Sequence, residues 1–258
     1  MNTAASTSGR ARRAPRRVRL DAETIVAAGL ELAATPGVST ISVRDLGARL
    51  GADPTAIYRH FRSKESLMEA LLDALITRTL ERVTAPVGEW RDRLRQLADA
   101  TFELFAQHPA VGVEATVLTT HGTGELGAVE FMLDTFARAG LDRDEQVRHY
   151  ALFASHVLAG SAGVARARSE RAALGETSTR WFDGPIAADP ERFPRVASLL
   201  PELMQLEDHV LYELGVETIL QSAERAAVQS AERAAVQSAE RAASYDSADV
   251  ERPPTLEK

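Results

Sequence analysis

Apolar residues return at helical spacing along nearly the whole chain, and the interruptions mark where each helix ends. Ile25, Ala28, Gly29, Leu32 and Ala33 form one stripe behind Asp21, a candidate N-cap, and Pro36-Gly37 ends it. Ser42 opens a second, shorter stripe of Val43, Leu46 and Leu50, with Asp45 three residues on in a variant of the capping box. Gly51 follows the last apolar position, where a left-handed residue closes a helix cheaply. Asp53 can cap a third element, and Pro54 takes its first turn, where a missing N–H costs nothing. Ile57 and Phe61 point back to the core, which leaves Thr55, Tyr58, Arg59 and His60 nearer the outer face. Ser63 caps a fourth helix that runs to about Val83 on Leu67, Leu71, Leu72 and Leu75, and Pro86 and Gly88 then break the pattern.

Beyond that break the reading is helical throughout. Trp90 to His108 carries Leu94, Leu97, Phe102 and Phe105, and Pro109 stops it. A short segment from Ala110 to Thr120 leads into the turn HGTGE, and Leu126 to Ala139 follows, ended by Gly140. Asp142 or Asp144 caps a long helix reaching about Arg168. Residues 169–194 read as irregular, with Gly175, Gly184, Pro185, Pro190 and Pro194. A final helix is expected from about Leu199 through Leu203, Leu206, Val210 and Leu214.

Two periodicities stand out. In the long helix Ala151, Ser155, Ala159, Gly163 and Ala167 recur every four residues, with Leu152, Phe153 and Val157 on other faces. Such a row lets another backbone come close, either within the subunit or from the same helix of a second subunit across a two-fold axis. The C-terminal stretch repeats SAERAAVQ at 222 and 230 and SAERAA at 238. A period of eight advances about 80° per repeat on a helix of 3.6 residues per turn. Val228 and Val236 therefore do not stack, and no continuous coiled-coil seam forms. Residues 221–258 are expected to be a solvated extension of the last helix, fraying before Pro253.

Composition narrows the class. The 258 residues suffice for one large domain or two small ones, and Ala, Leu, Glu and Arg abound while aromatics are few. With no cysteine, a disulfide framework and a thiolate metal site are excluded. No run approaches membrane-spanning length, and the basic N-terminus lacks the apolar stretch of a signal peptide, so a soluble cytoplasmic protein is expected. The net charge of −7 conceals an asymmetry: residues 1–64 hold eleven Arg and Lys against five Asp and Glu, a balance of +6 that leaves −13 for the rest. A basic first quarter on an acidic body suits a polyanion bound at one end only. Residues 1–19 are Arg-rich and poor in apolar side chains, and are expected to be a disordered basic arm. It is either a solubilising leader or, through residues such as Arg17 and Arg19, a contact to phosphates or the minor groove.

Two short helices joined by a glycine turn are the helix-turn-helix layout, whose second helix enters the DNA major groove. The stretch LGARLGADPTAIYRHFRSKESLMEALLDAL, and within it I-Y-x-H-F-x-S-K-E-x-L, resembles the DNA-binding domain of the tetracycline-repressor (TetR) family of bacterial transcription regulators. The resemblance covers about residues 20–80; downstream only the helical layout and a few local patterns fit the family's ligand-binding domain. It implies that Tyr58, His60 and Lys64 contact the DNA backbone and that Thr55, Ala56 and Arg59 reach base edges. An Arg there can donate two bonds to guanine, and Lys64 at a helix start can reach a phosphate alongside free N–H groups. Arg44, with Ser42 beside it, is a further candidate for base or phosphate. The resemblance also implies a homodimer through the last two long helices, which assigns Ala151, Ser155, Ala159, Gly163, Leu203, Leu206 and Val210 to the interface. A small-molecule effector would then bind between helices of the second domain. Phe102, Phe105, Val113, Thr116, Leu118, His121, Phe131, His156 and Trp181 are lining candidates, each equally at home in an ordinary core.

Other chemistries find little support. His149 and His156 share a helical face, but there is no HxxxH or HExxH pattern, and no metal or cofactor is expected. There is no G-x-S-x-G elbow, P-loop or dinucleotide fingerprint, so no enzyme is expected. The expected architecture is all-α: a three-helix helix-turn-helix DNA-binding domain at 20–84, a larger helical effector-binding and dimerisation domain at 85–220, and the repeat tail. The expected function is a ligand-responsive repressor that binds a palindromic double-stranded operator as a dimer and is released by a small molecule. A helical small-molecule-binding protein without operator-specific DNA binding is the alternative, and a helical enzyme the third reading. The +6 segment argues against both, since neither needs it.

Overall fold

The computed structural model describes residues 20–174, 181–182 and 186–250, with the helical backbone alone at 171–174 and 241–250. Arg17 and Arg19 lie outside the described residues. The fold is all-α. Its first four helices are α1 (Ala22–Ala33), α2 (Val43–Leu50), α3 (Pro54–Ile57) and α4 (Lys64–Glu81). There follow α5 (Trp90–Gln107), α6 (Pro109–Gly112), a 3-10 turn (Val113–Thr116), α7 (Thr123–Arg138) and α8 (Arg143–Leu174). Two short helices, α9 (Pro194–Ser198) and α10 (Leu200–Leu203), precede the last one, α11 (Asp208–Val250).

Local chemistry explains most of the boundaries. The Asp21 carboxylate accepts from the Thr24 N–H at 2.8 Å, and the Ser42 hydroxyl accepts from the N–H groups of Arg44 and Asp45. Gly51 takes φ 61°, a left-handed conformation that ends α2 at no side-chain cost. Ser63 and Ser66 cap α4 reciprocally, each hydroxyl accepting from the other's N–H at 3.0 and 3.1 Å. Asp142 caps α8 by accepting from the Glu145 N–H at 3.0 Å.

One boundary adds to the sequence reading and two differ from it. Pro109 ends α5 as expected, with the last helical residue at Gln107, but it also opens α6, at whose first turn a proline is tolerated, so the chain corners there. The α8 helix runs six residues past Arg168, to Leu174. The final helix begins at Asp208, because Pro194 and Pro201 each start a short helix of their own before it. Leu203 therefore lies on α10 and Leu206 in the turn after it, so neither stands on the last helix with Val210.

The tail also differs. Along α11 Tyr212, Val216, Ile219, Ala223, Ala226 and Ser230 are buried in a seam of alternating four- and three-residue steps, with Leu220 buried beside it. The same steps continued give Arg233, Gln237 and Glu240. The eight-residue repeat slides out of the seven-residue seam, so the first copy and Ser230, which opens the second, pack while residues 231–240 are exposed. The packed part is pinned by Asp142, which accepts from Ser230 at 3.2 Å and pairs with Arg233 at 2.6 Å. The core thus extends about ten residues beyond position 220. Ending the chain after Gln237 should leave the melting temperature unchanged. Ending it before Ser222 exposes the site of two buried Ala methyls, about 1.5 kcal/mol, and should lower the temperature by roughly 3–6 °C in thermal unfolding.

Two buried clusters meet along α5 and α8. One holds Ile25, Leu46, Ile57, Leu67 and Leu71 together with Leu104, Phe105, Val111 and Ala165. The other holds Leu94, Phe102, Phe136, Phe153, Tyr212 and Leu220. The Pro86–Gly88 break is a turn of the chain, tied to α5 where the Gln96 side chain accepts from the N–H groups of Thr84 and Ala85 at 2.9 Å. It does not separate the cores, since α5, α6 and α8 all reach into the first. Arg91 and Arg95 of α5 grip Glu217 and Glu224 of α11, with Arg91–Glu224 at 2.7 Å and Arg95 forked on both oxygens of Glu217. Among the described residues no helix is long and apolar enough to cross a membrane.

His108 at the α5–α6 corner makes stability depend on pH. The imidazole is buried, with Nδ1 2.8 Å from the Leu104 carbonyl. Burial lowers its pKa below the ordinary 6.5, against the opposing pull of that hydrogen bond and with help from Arg78 and Arg82. The folded state therefore prefers the neutral ring. Its contribution is complete above about pH 6.5 and is lost as pH falls through the lowered folded pKa, because the unfolded chain takes up the proton first. The drop in melting temperature between pH 7.5 and 5.5 should shrink in His108→Gln.

Candidate functional site

The first candidate surface is the α2–α3 pair and the start of α4. Ile57 is fully buried and Phe61 nearly so, which anchors α3 on the first core and turns its other side outward. Thr55, Tyr58, Arg59, His60 and Lys64 are exposed, Tyr58 at 47%, and Ala56 is half-buried. The α3 helix is only four residues long, and Tyr58, Arg59 and His60 continue it as a turn closed by His60 N–H on the Ile57 carbonyl at 2.9 Å. The Thr55 hydroxyl donates to Asp53 at 2.6 Å, which leaves it only acceptor capacity toward a ligand. That bond and the Thr55 N–H hold the Asp53 carboxyl below its usual range. Ser42 is the reverse case: its oxygen accepts from α2, so its proton remains available. Arg44 is exposed beside it. Lys64 stands at the first position of α4, where helix geometry leaves N–H groups unpaired and the dipole favours an anion. The face is held to its neighbour by an Arg49–Glu31 pair at 2.8 Å between α2 and α1. Its chemistry is that of a polyanion-binding surface with several hydrogen-bonding side chains at helical spacing.

The second candidate is a small cavity of about 100 Å³ inside the helical body. It is walled by Ile76 and Thr79 of α4, Leu97, Thr101 and Phe105 of α5, Glu125, Ala128, Val129 and Met132 of α7, and Tyr150, Phe153, Ala154, Val157 and Leu158 of α8. Of the lining candidates named from the sequence, only Phe105 is among them. Phe102 is one position round α5 and turns to α11, against the rings of His209 and Tyr212. Val113 is half-buried against the first core, Leu118 likewise, and Thr116 is exposed. His121 is exposed at a left-handed turn position, φ 53°. Phe131 faces away on α7, under the Arg93 guanidinium at 4.5 Å. His156 turns toward α11, its Nε2 2.9 Å from the Tyr212 carbonyl and its ring stacked on Tyr212. Trp181 is 57% exposed.

Asp73, Thr120, Gly122, Gly124 and Glu125 form no motif in the sequence, yet they join α4 to α7. The Asp73 carboxylate, on α4, accepts from the Glu125 N–H at 2.9 Å, the Gly124 N–H at 3.0 Å and the Thr120 hydroxyl at 2.8 Å. It thereby caps α7, whose own N-cap, Gly122, has no side chain to do so. The Glu125 carboxylate accepts from the Thr120 and His121 N–H groups at 2.7 and 2.8 Å. A Cβ at Gly124 would stand 2.3 Å from the Asp73 carbonyl oxygen, and one at Gly122 would stand 2.3 Å from the Asp73 carboxyl carbon. The two glycines in HGTGE are what let the helices close on this clasp.

The third candidate is an outer face. Ala151, Ser155, Ala159 and Gly163 lie along α8, and all four are exposed. Ala159 and Gly163 line a groove of about 540 Å³ with His156, Trp181, Leu211 and Tyr212. Val147 and Leu152 of α8 and Val210 and Leu214 of α11 are exposed apolar side chains on the same two helices. Leu203 and Leu206 are half-buried before α11 starts.

The chain resembles known proteins in sequence and in fold. Residues 25–71 match the family described as bacterial regulatory proteins, tetR family, and residues 84–225 match the tetracyclin repressor-like C-terminal domain. The chain is 27% identical over 215 residues to an HTH-type transcriptional repressor of Mycobacterium tuberculosis, a match over 80% of this chain and 81% of the relative. A solved transcriptional regulator of Streptomyces coelicolor A3(2) is similar at TM-score 0.62 and 28% identity, covering 81% of this chain and 99% of that one. The Streptomyces coelicolor TetR family protein ActR, in complex with actinorhodin, is similar in fold at TM-score 0.65 and 17% identity, covering 81% and 99%.

Proposed function

The chain belongs to the tetR family of bacterial regulatory proteins, and from that premise we propose that it is a ligand-responsive repressor, a homodimer that binds a palindromic operator and is released by a small molecule. Residues 20–84 are the operator-binding module; the helices from α5 through the packed part of α11 receive the effector and dimerise. The observation that carries this reading is the exposed set Tyr58, Arg59, His60 and Lys64, standing over the buried Ile57 and Phe61. The small-residue face of α8, flanked by exposed Leu152, Val210 and Leu214, supports the dimer. Support for the effector is the cavity walled jointly by α4 and the α5–α7–α8 body, in a fold that in ActR accommodates actinorhodin.

Selection from random duplex DNA tests the reading. It should return a two-fold symmetric site with half-sites about one helical turn apart, bound with an affinity that falls steeply with salt as counterions are released. Recovery of no preferred sequence would sink the repressor reading and leave a helical binding protein.

A further inference from the structure

The lining of the α4–α5–α7–α8 cavity is one-sided in its hydrogen-bonding chemistry. Ten of its fourteen residues are apolar. The Thr79 hydroxyl donates to the Ile76 carbonyl and the Thr101 hydroxyl to the Leu97 carbonyl, both at 2.7 Å, so each has only its oxygen lone pairs to offer a guest. The single ionisable acid in the lining is Glu125, and no Lys, Arg or His is present. One Glu125 oxygen, Oε2, is engaged by the Thr120 and His121 N–H groups and lies 2.9 Å from the Thr120 hydroxyl; the other, Oε1, has no partner among the described residues. The same Thr120 hydroxyl, with one proton, also faces Asp73 at 2.8 Å. Two carboxylates therefore share a single hydroxyl proton at this end of the cavity. Only the half-buried Tyr150 hydroxyl can donate.

From this we propose that the effector, in the repressor reading on which this inference rests, is an apolar molecule carrying a cationic or hydrogen-bond-donating group that pairs with Glu125. An apolar wall with acceptors and a carboxylate rewards a donor; an anion would face Glu125 with nothing to neutralise it. At about 100 Å³ the cavity is below the roughly 300 Å³ at which drug-sized ligands are usually held. The guest must part the walls, and α4, which supplies Ile76 and Thr79, is the wall that continues into the DNA-facing surface. Pairing with Glu125 also acts next to the Asp73 clasp, so charge recognition and displacement of α4 occur at one place.

A matched set of probes tests the assignment: 1-naphthylmethylamine, 1-naphthalenemethanol and 1-naphthoate, each titrated by calorimetry into the full chain without DNA. The amine should bind most tightly, the alcohol less, and the acid not measurably. Glu125→Gln, whose amide oxygen can still accept from Thr120 and His121, should weaken the amine by about tenfold or more, the loss of a charge-assisted hydrogen bond, while the alcohol, which gives up only a hydroxyl-donor bond, should lose clearly less. The alcohol binding that remains shows that the variant cavity is intact. Equal binding of acid and amine, equal effects of Glu125→Gln on amine and alcohol, or no binding by any of the three overturns the assignment. Release of the selected operator is a separate arm: an amine that binds through Glu125 without releasing DNA would overturn the ligand-responsive reading and leave the ligand class standing.

Discussion

Gly124→Ala is expected to lower stability by about 3 kcal/mol or more, although an alanine for glycine within a helix ordinarily gains close to 1 kcal/mol. The sign reverses because the new methyl has nowhere to go. Its carbon would stand 2.3 Å from the Asp73 carbonyl oxygen and 2.6 Å from the Thr77 hydroxyl. The first of these is backbone in the middle of α4, so relief requires the two helices to separate. Separation also removes the Asp73 cap from α7, a further loss of about 0.5–2 kcal/mol. Thermal unfolding should register a fall of roughly 6–12 °C. Gly122→Ala makes a different clash, with the Asp73 carboxylate itself, and this gives the prediction its internal control. In an Asp73→Ala background the Gly122→Ala penalty should largely vanish, a coupling of about 0.5–3 kcal/mol, whereas the Gly124→Ala penalty should persist. A Gly122→Ala penalty that persists in that background would mean that the Asp73 carboxylate is not what excludes a side chain there.

The contrast between what could and could not be read from the sequence follows from the range of each interaction. Every cap supplied by a neighbour in sequence was legible: Asp21, Ser42, Asp53, Ser63 and Asp142 all act within three residues of themselves. The cap of α7 was not, because Asp73 lies 51 residues from Gly124 and reads locally as one acid on a helix. The HGTGE turn was visible, but its glycines look like a break in the chain, when their role is to admit another helix.

The cavity illustrates a second limit. Aromatic and histidine side chains suggest themselves by their chemistry, and the structure instead selects by face. On α5, Leu97, Thr101 and Phe105 are four apart and share the inner side, while Phe102 is turned to α11. On α8, Tyr150, Phe153, Ala154, Val157 and Leu158 look inward, whereas His156 is drawn to the Tyr212 carbonyl. Period alone gives a stripe; which partner lies under it depends on the packing of four helices at once. The tail shows the same thing in reverse. Its own period of eight forms no seam, but the first copy inherits the register of Tyr212 to Ile219, and that register buries it.

The largest functional effect is expected from Arg59 and Lys64, and the two should fail in different ways. Both are exposed, Arg59 on the turn that continues α3 and Lys64 at the start of α4. Phe61, between them in sequence, is buried and fixes the turn they stand on. Lys64 is a point charge at a helix start and can reward any phosphate, whatever the base beside it. Lys64→Ala should therefore weaken selected and random duplexes by the same factor and reduce the slope of log affinity against log salt by about one for each phosphate no longer neutralised. Arg59 has a planar fork suited to the two acceptors of guanine. Arg59→Ala should cost about 1–3 kcal/mol in each half-site, and on the proposed two-fold dimer every substitution occurs twice, so the operator should lose about 2–6 kcal/mol. Random DNA should lose far less, so the specificity ratio collapses along with the affinity. Titrations of both duplexes at two salt concentrations, with wild type and each variant, separate the roles. A uniform loss for Arg59→Ala with a reduced salt slope would make it a second phosphate contact. Base reading would then fall to Thr55 and Ala56, and Thr55 could only accept, because its hydroxyl proton is already held by Asp53 at 2.6 Å.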